Sequence, residues 1–169
     1  ERLCRLPVEV DYGSEYRYRD PVVTPDVLHV FVTQSGETLD TIASLREAKS
    51  RGAKAIAICN VMGSMATREA HGTIYTHAGP EIGVASTKAF TCQLAVLGAL
   101  AIAAGRARGS ISRDAEIRLT RTLMEVPRHM IALLGQDPIY QALAHELAKA
   151  RDVLYLGRGL SYPLAMEGA

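Results

Sequence analysis

The stretch Val30-Phe31-Val32-Thr33-Gln34-Ser35-Gly36-Glu37-Thr38-Leu39-Asp40-Thr41 decides the fold. Its first part belongs to a run from Val27 to Val32 that is mostly β-branched or aromatic, and apolar apart from His29, the composition of a buried strand. Its last part opens a helix. From Leu39 to Arg51, the residues Leu39, Ile42, Ala43 and Leu45 share one broad face, Asp40, Ser44, Glu47 and Arg51 lie opposite, and Gly52 can stop the helix. The turn between strand and helix carries Thr33, Gln34, Ser35 and Thr38, and Gly36 permits a tight backbone there. Free N–H groups and the positive end of the helix dipole face whatever binds at the strand's C-terminal edge, which is a good place for a phosphate. The turn has no lysine, so it is not a P-loop, and it has no G-x-G-x-x-G. The next strand ends in Cys59-Asn60 rather than in an acidic residue that could hold a ribose. Hydroxyls and amides alone suit a small phosphorylated metabolite. The same residues also fit an ordinary strand-to-helix turn in which Ser and Thr cap the helix.

Outward from this stretch, strands and helices alternate. Val8 to Tyr12 is expected as a short strand, and the polar segment from Ser14 to Pro25 as a surface connection. Ala53 to Cys59 reads as a second buried strand, Met65 to Ala70 as a short helix and Gly72 to Thr76 as a third strand. A loop from His77 to Val84 follows, and Ser86 or a near neighbour caps a long helix to Ala104. Such alternation implies a parallel sheet with right-handed crossovers. Near-continuous apolar strands imply a sheet covered on both faces. Ligand groups then gather at the C-terminal strand ends, which brings the Gln34–Thr38 turn, the Asn60 turn and the Gly83–Thr87 loop to one edge.

The 169 residues suffice for one domain with a real core and part of a second. A content of 48% hydrophobic and 22% charged residues is that of a soluble globular protein, and a net charge of +1 gives no basic field for nucleic acid. Cys4, Cys59 and Cys92 are odd in number and far apart, which fits a reducing cytoplasm and no disulfide framework. The histidines form no zinc pattern with them, so neither a metal nor a cofactor is expected. The longest apolar run, Leu94 to Ala104, falls short of the about 20 residues that span a bilayer and reads as a buried helix. No membrane association is expected.

Gly105 to Ser112 is the best boundary, dividing the chain into residues 1–109 and 110–169. Beyond it, Leu119, Leu123, Val126, Met130 and Leu133 form a helical stripe, with a bend expected at Pro127. Asp137-Pro138 starts another helix, Val153 to Leu156 is expected as a strand, and Gly157 to Ser161 turns out of it. This second part repeats the strand, glycine turn and helix plan of the first. Both ends read as cut, with Glu1-Arg2-Leu3 as a helix tail and Pro163 to Ala169 as a helix start.

Three stretches are specific: TQSGETLDT at Thr33 to Thr41, THAGPEIGVASTKAFTCQL at Thr76 to Leu94, and LGRGLSYPLAMEGA at Leu156 to Ala169. In this order and spacing they resemble the isomerase region of the glutamine–fructose-6-phosphate aminotransferase family, which contains two sugar isomerase (SIS) domains. The likeness covers essentially the whole chain. It implies a three-layer αβα sandwich around a parallel sheet, of flavodoxin-like topology, for residues 1–109, and the beginning of a second SIS domain for residues 110–169. It implies an enzyme that makes glucosamine 6-phosphate from fructose 6-phosphate with ammonia from a glutaminase domain, in the cytoplasm and as a homodimer. The ligand would be a hexose 6-phosphate: fructose, glucose or glucosamine 6-phosphate. By the same resemblance Thr33, Gln34, Ser35 and Thr38 match the phosphate-binding turn, with Thr33 where Ser is usual. Val84 matches a position whose backbone contacts the sugar, and Ser86 lies beside it.

The family's other phosphate contact, a Gly-Thr-Ser turn, is expected upstream of Glu1, and its catalytic Glu, His and Lys beyond Ala169. No catalytic residue is therefore expected within these residues, and Cys4 does not match the N-terminal glutaminase nucleophile. Alternatives are a non-catalytic SIS module that senses phosphosugars, or a related sugar-phosphate isomerase or deaminase. Whichever holds, and within the aminotransferase reading too, Ser86, Thr87 and Lys88 could serve only to cap or solvate the long helix, Glu81 be a loop carboxylate, and His77 a polar loop residue.

Overall fold

The computed structural model describes residues 1–83 and 85–169. Its elements run α1 (Gly13–Tyr16), a 3-10 turn at Arg17–Arg19, β1 (Leu28–Thr33), α2 (Leu39–Ser50), β2 (Lys54–Cys59), α3 (Met65–Glu69), β3 (Gly72–Tyr75), α4 (Lys88–Ala107), α5 (Arg113–Leu134), α6 (Asp137–Leu147) and α7 (Ser161–Gly168). The strands form a parallel sheet in the order β1-β2-β3, with Thr33 opposite Cys59 and Cys59 opposite Tyr75. The α/β class with a parallel sheet is thus as expected. Val8 to Tyr12 and Val153 to Leu156, expected as strands, are irregular. Residues extended by propensity become a strand only where a partner completes the ladder.

The chain divides into two compact units, Glu1–Leu123 and Met124–Ala169. In the first, one face of the sheet is built for a close helix. His29, Phe31 and Thr33 of β1 lie in register with Ala55, Ala57 and Cys59 of β2. The His29 ring meets Tyr16 of α1 edge-on at 5.8 Å, and α1 packs on α2. Ala55 and Ala57 are fully buried and add almost no height, so Ile42, Leu45 and Ala48 of α2 bury against the sheet. Ser44 departs from expectation: it is buried, because α1 covers that side of α2 and the Ser44 hydroxyl donates to Gly13 O at 2.5 Å. Leu39, expected on the apolar face, is exposed.

On the other face Ile58 is fully buried, but Leu28, Val30 and Val32 of the edge strand β1 stay exposed, so this face is not covered throughout as its composition implies. Helix α4 is 20 residues long and, by length and a mean hydropathy of 1.5, could cross a membrane. Within the first unit it buries Ala89, Ile102 and Gly105. The residues expected as a helix tail form a turn pinned to its C-terminal end: Ser110 Oγ donates to Leu3 O, Arg108 Nε to Cys4 O, and Cys4 Sγ to Ala101 O. Most of α4 is only partly covered, less than a core helix would be.

In the second unit, α6 starts at Asp137 with Gln136 rather than Asp137 as its N-cap, and the Tyr155 ring lies against Gly168 of α7. Helix α5 runs through Pro127 without a break. Val126, Met130 and Leu133 of the expected packing stripe are exposed, and among the described residues none after Gly105 is buried.

Candidate functional site

All three strands point the same way, so their C-terminal ends lie on one edge. The β1–α2 turn, the turn after β2 and the loop after β3 all leave from it. The first of these is held from within. Thr33 is buried, and its Oγ1 accepts the Gly36 N–H at 3.1 Å. Ser35 Oγ accepts the Glu37 N–H at 3.1 Å. Gly36 has φ of +69°, and a Cβ there would stand 2.8 Å from Cys59 Sγ, so neither the conformation nor the space admits a side chain.

Helix α2 begins at Leu39 with Thr38 as N-cap in an extended conformation, and the Thr38 side chain makes no capping hydrogen bond. The hydroxyl that would ordinarily occupy the first free amides makes no bond to them, and Thr38 is exposed. Thr38 thus does not cap the helix through its side chain, while the Thr33 and Ser35 hydroxyls bond to amides of the turn itself. Ser35 and Gln34 are half-buried beside it. A hydroxyl that accepts one backbone N–H still has its own proton to donate, so Ser35 can serve the turn and a ligand together.

Glu37 faces away from this mouth. Its Oε1 accepts the Met65 N–H at 2.8 Å, at the start of α3. Asp40 is exposed and 4.0 Å from the Arg17 guanidinium. Neither carboxylate is committed to the turn, so an anion there meets amides and hydroxyls.

The loop after β3 is tied down by two side chains whose roles were not apparent in the sequence. Asn60 Nδ2 donates to Gly79 O at 2.7 Å, and its Oδ1 accepts from Thr76 Oγ1 at 3.1 Å and Ala78 N at 2.8 Å. Glu81 caps α4: its carboxylate accepts the N–H groups of Thr87 at 3.1 Å and Ala89 at 3.0 Å, and the Thr87 hydroxyl at 3.0 Å. The Ala89 amide first, and then the Thr87 groups, hold the Glu81 carboxyl below the usual carboxylate range against a smaller upward push from burial. The signal for Glu81 was an acid a few residues before a helix, a longer reach than an ordinary capping box. Ser86 is exposed in the loop that Glu81 closes, and Lys88 is exposed at the first turn of α4. His77 is exposed with φ of +51°. Val84 lies outside the described residues.

Residues 1–103 match the SIS domain family. The chain belongs to that family. As an SIS domain chain it is 56% identical over its full length to a glutamine–fructose-6-phosphate aminotransferase [isomerizing] of Bradyrhizobium diazoefficiens, and 55% identical to the enzyme of the same name from Rhizobium meliloti. It spans 28% of the length of each of these relatives. A solved structure, the C-terminal domain of glucosamine-fructose-6-phosphate aminotransferase from Francisella tularensis, matches 99% of this SIS domain chain and 48% of its own length, with a TM-score of 0.93 at 38% identity.

Proposed function

We propose that this chain is the sugar-phosphate cradle of a glutamine–fructose-6-phosphate aminotransferase (isomerizing), an enzyme that makes glucosamine 6-phosphate from fructose 6-phosphate and glutamine. The observation that carries this assignment is the uncapped start of α2. The Thr38 hydroxyl makes no cap bond, both nearby carboxylates are turned to other partners, and Ser35 keeps a proton to donate. Ser35, Thr38 and the Gln34 amide would hold the phosphate with the first amides of α2, while Thr33, bound to the Gly36 N–H, keeps the turn in shape. The Val84 backbone and Ser86 would meet the sugar. Proton transfer and ammonia delivery would come from other parts of the full-length protein, including a glutaminase domain, and the working form would be a cytoplasmic homodimer. Full-length coverage by relatives of one name supports the aminotransferase over a phosphosugar-sensing module.

Titration calorimetry on the full-length protein tests this. Each hydroxyl to a phosphate oxygen is worth about 1.5–3 kcal/mol, so Ser35→Ala and Thr38→Val should each weaken fructose 6-phosphate binding roughly ten- to a hundredfold. Fructose itself should bind poorly to every variant. Wild-type affinity in both variants would leave the turn as a plain helix start.

A further inference from the structure

Asn60 touches all three strand ends. Its backbone N–H donates to Gln34 O at 3.2 Å, extending the β1–β2 ladder one step into the phosphate turn. Its side chain binds Thr76, Ala78 and Gly79, on both sides of His77. His77 is one of the few non-glycine residues here with positive φ, at +51°, and Gly79 follows at +73°. A backbone in that region persists only where its surroundings over-determine it. Asn60 supplies that constraint: its amide satisfies one hydroxyl, one N–H and one carbonyl of the loop with its own acceptor and donor. Thr76 N in turn donates to Cys59 O at 3.0 Å, so the loop leaves the sheet in register. Two residues beyond Gly79, Glu81 closes the same loop onto α4.

We infer, resting on the phosphosugar assignment above, that Asn60 is a positioning residue that sets the sugar-facing loop against the phosphate turn, so that it governs recognition of the sugar rather than of the phosphate. A turn built on Gly36, Thr33 and Ser35 holds its own shape without the Asn60 side chain, whereas the loop from Thr76 to Gly79 does not.

The test is titration of the full-length protein with fructose 6-phosphate and, by displacement, with inorganic phosphate. Asn60→Asp keeps the size and the acceptor but sets an oxygen against Gly79 O. The added negative charge repels any phosphate alike, so the reading is the difference: fructose 6-phosphate should weaken by roughly two- to tenfold more than inorganic phosphate, the worth of one neutral hydrogen bond. Thr76→Val, which removes the hydroxyl that Asn60 Oδ1 accepts, should give the same split and serves if the first variant does not fold. Unchanged affinities with only a lower binding stoichiometry would mark a structural role and overturn the proposal. An equal loss for both ligands would place the effect in the turn, and would overturn it too. Ser35→Ala separates the two levels. If it weakens both ligands while Asn60→Asp weakens neither, only the role of Asn60 falls. If it weakens neither, the phosphosugar site falls with it.

Discussion

Gly36 sits against Ser64: a Cβ built on Gly36 would collide with Ser64 Oγ and stand 2.7 Å from Ser64 Cβ. Rotating the serine hydroxyl away relieves the first contact but not the second, and Ser64 is itself buried. The left-handed φ adds about 1–2 kcal/mol for any L side chain, and overpacking a tight contact about 1–3 kcal/mol. Gly36→Ala should therefore lower the unfolding free energy by roughly 2–5 kcal/mol and abolish phosphosugar binding. Urea denaturation and calorimetry read the two effects. Loss of binding at wild-type stability would mean that the alanine fits and the clash is absent.

The orientation of Glu37 and Asp40 gives a contrasting expectation. Glu37→Gln keeps an oxygen to accept the Met65 N–H, and Asp40→Asn loses only a long ion pair with Arg17, of a kind worth little at a surface. Both should bind fructose 6-phosphate as well as the wild type, or slightly better once a negative charge is gone. A tenfold loss in either would show that the carboxylate takes part in the site.

Glu81 makes stability at the start of α4 depend on pH. Its folded-state carboxyl is held below the usual carboxylate range, chiefly by the Ala89 amide. The contribution is therefore fully present above the unfolded value and is lost as pH falls through the folded one. Glu81→Gln should be less stable than wild type near neutral pH, and the gap should close below about pH 4.5. Denaturation monitored by circular dichroism at several pH values checks this, and a gap independent of pH would show that the charge is immaterial.

Burial also divides the chain. Among the described residues every buried one lies between Thr33 and Gly105. In the 169-residue chain by itself, amide exchange should be slow in β1, β2 and α2 and fast from Met124 onward. Equal protection of both parts in a monomer would contradict this.

The elements legible in the sequence were those whose period is local. β1, α2, β2, α3 and β3 lie within two residues of their expected bounds, because alternating or helical apolar spacing and the stops at Gly52 and Gly72 are read within a few residues. The Thr33–Thr38 turn was legible for the same reason: its residues are contiguous. What was not legible depends on distant partners. Ser44 looked solvent-facing until α1, 31 residues earlier, covered it. The carboxylate of Glu37 finds its amide 28 residues on, and the amide of Asn60 finds its partners 16 to 19 residues on. Val153 to Leu156 has strand propensity, but extended propensity without a neighbouring ladder leaves only an irregular segment.

The two buried alanines of β2 have a consequence for how such a protein can change over time. Ala55 and Ala57 set the thickness of the seat on which α2 rests, and the mouth of α2 is the proposed phosphate turn. Replacing either with a larger side chain such as valine would press on α2, and so on the turn at its mouth, relative to the loop held by Asn60. Ligand affinity could thus drift between lineages, or be adjusted to a warmer or colder habitat, while every residue that touches the ligand stays the same.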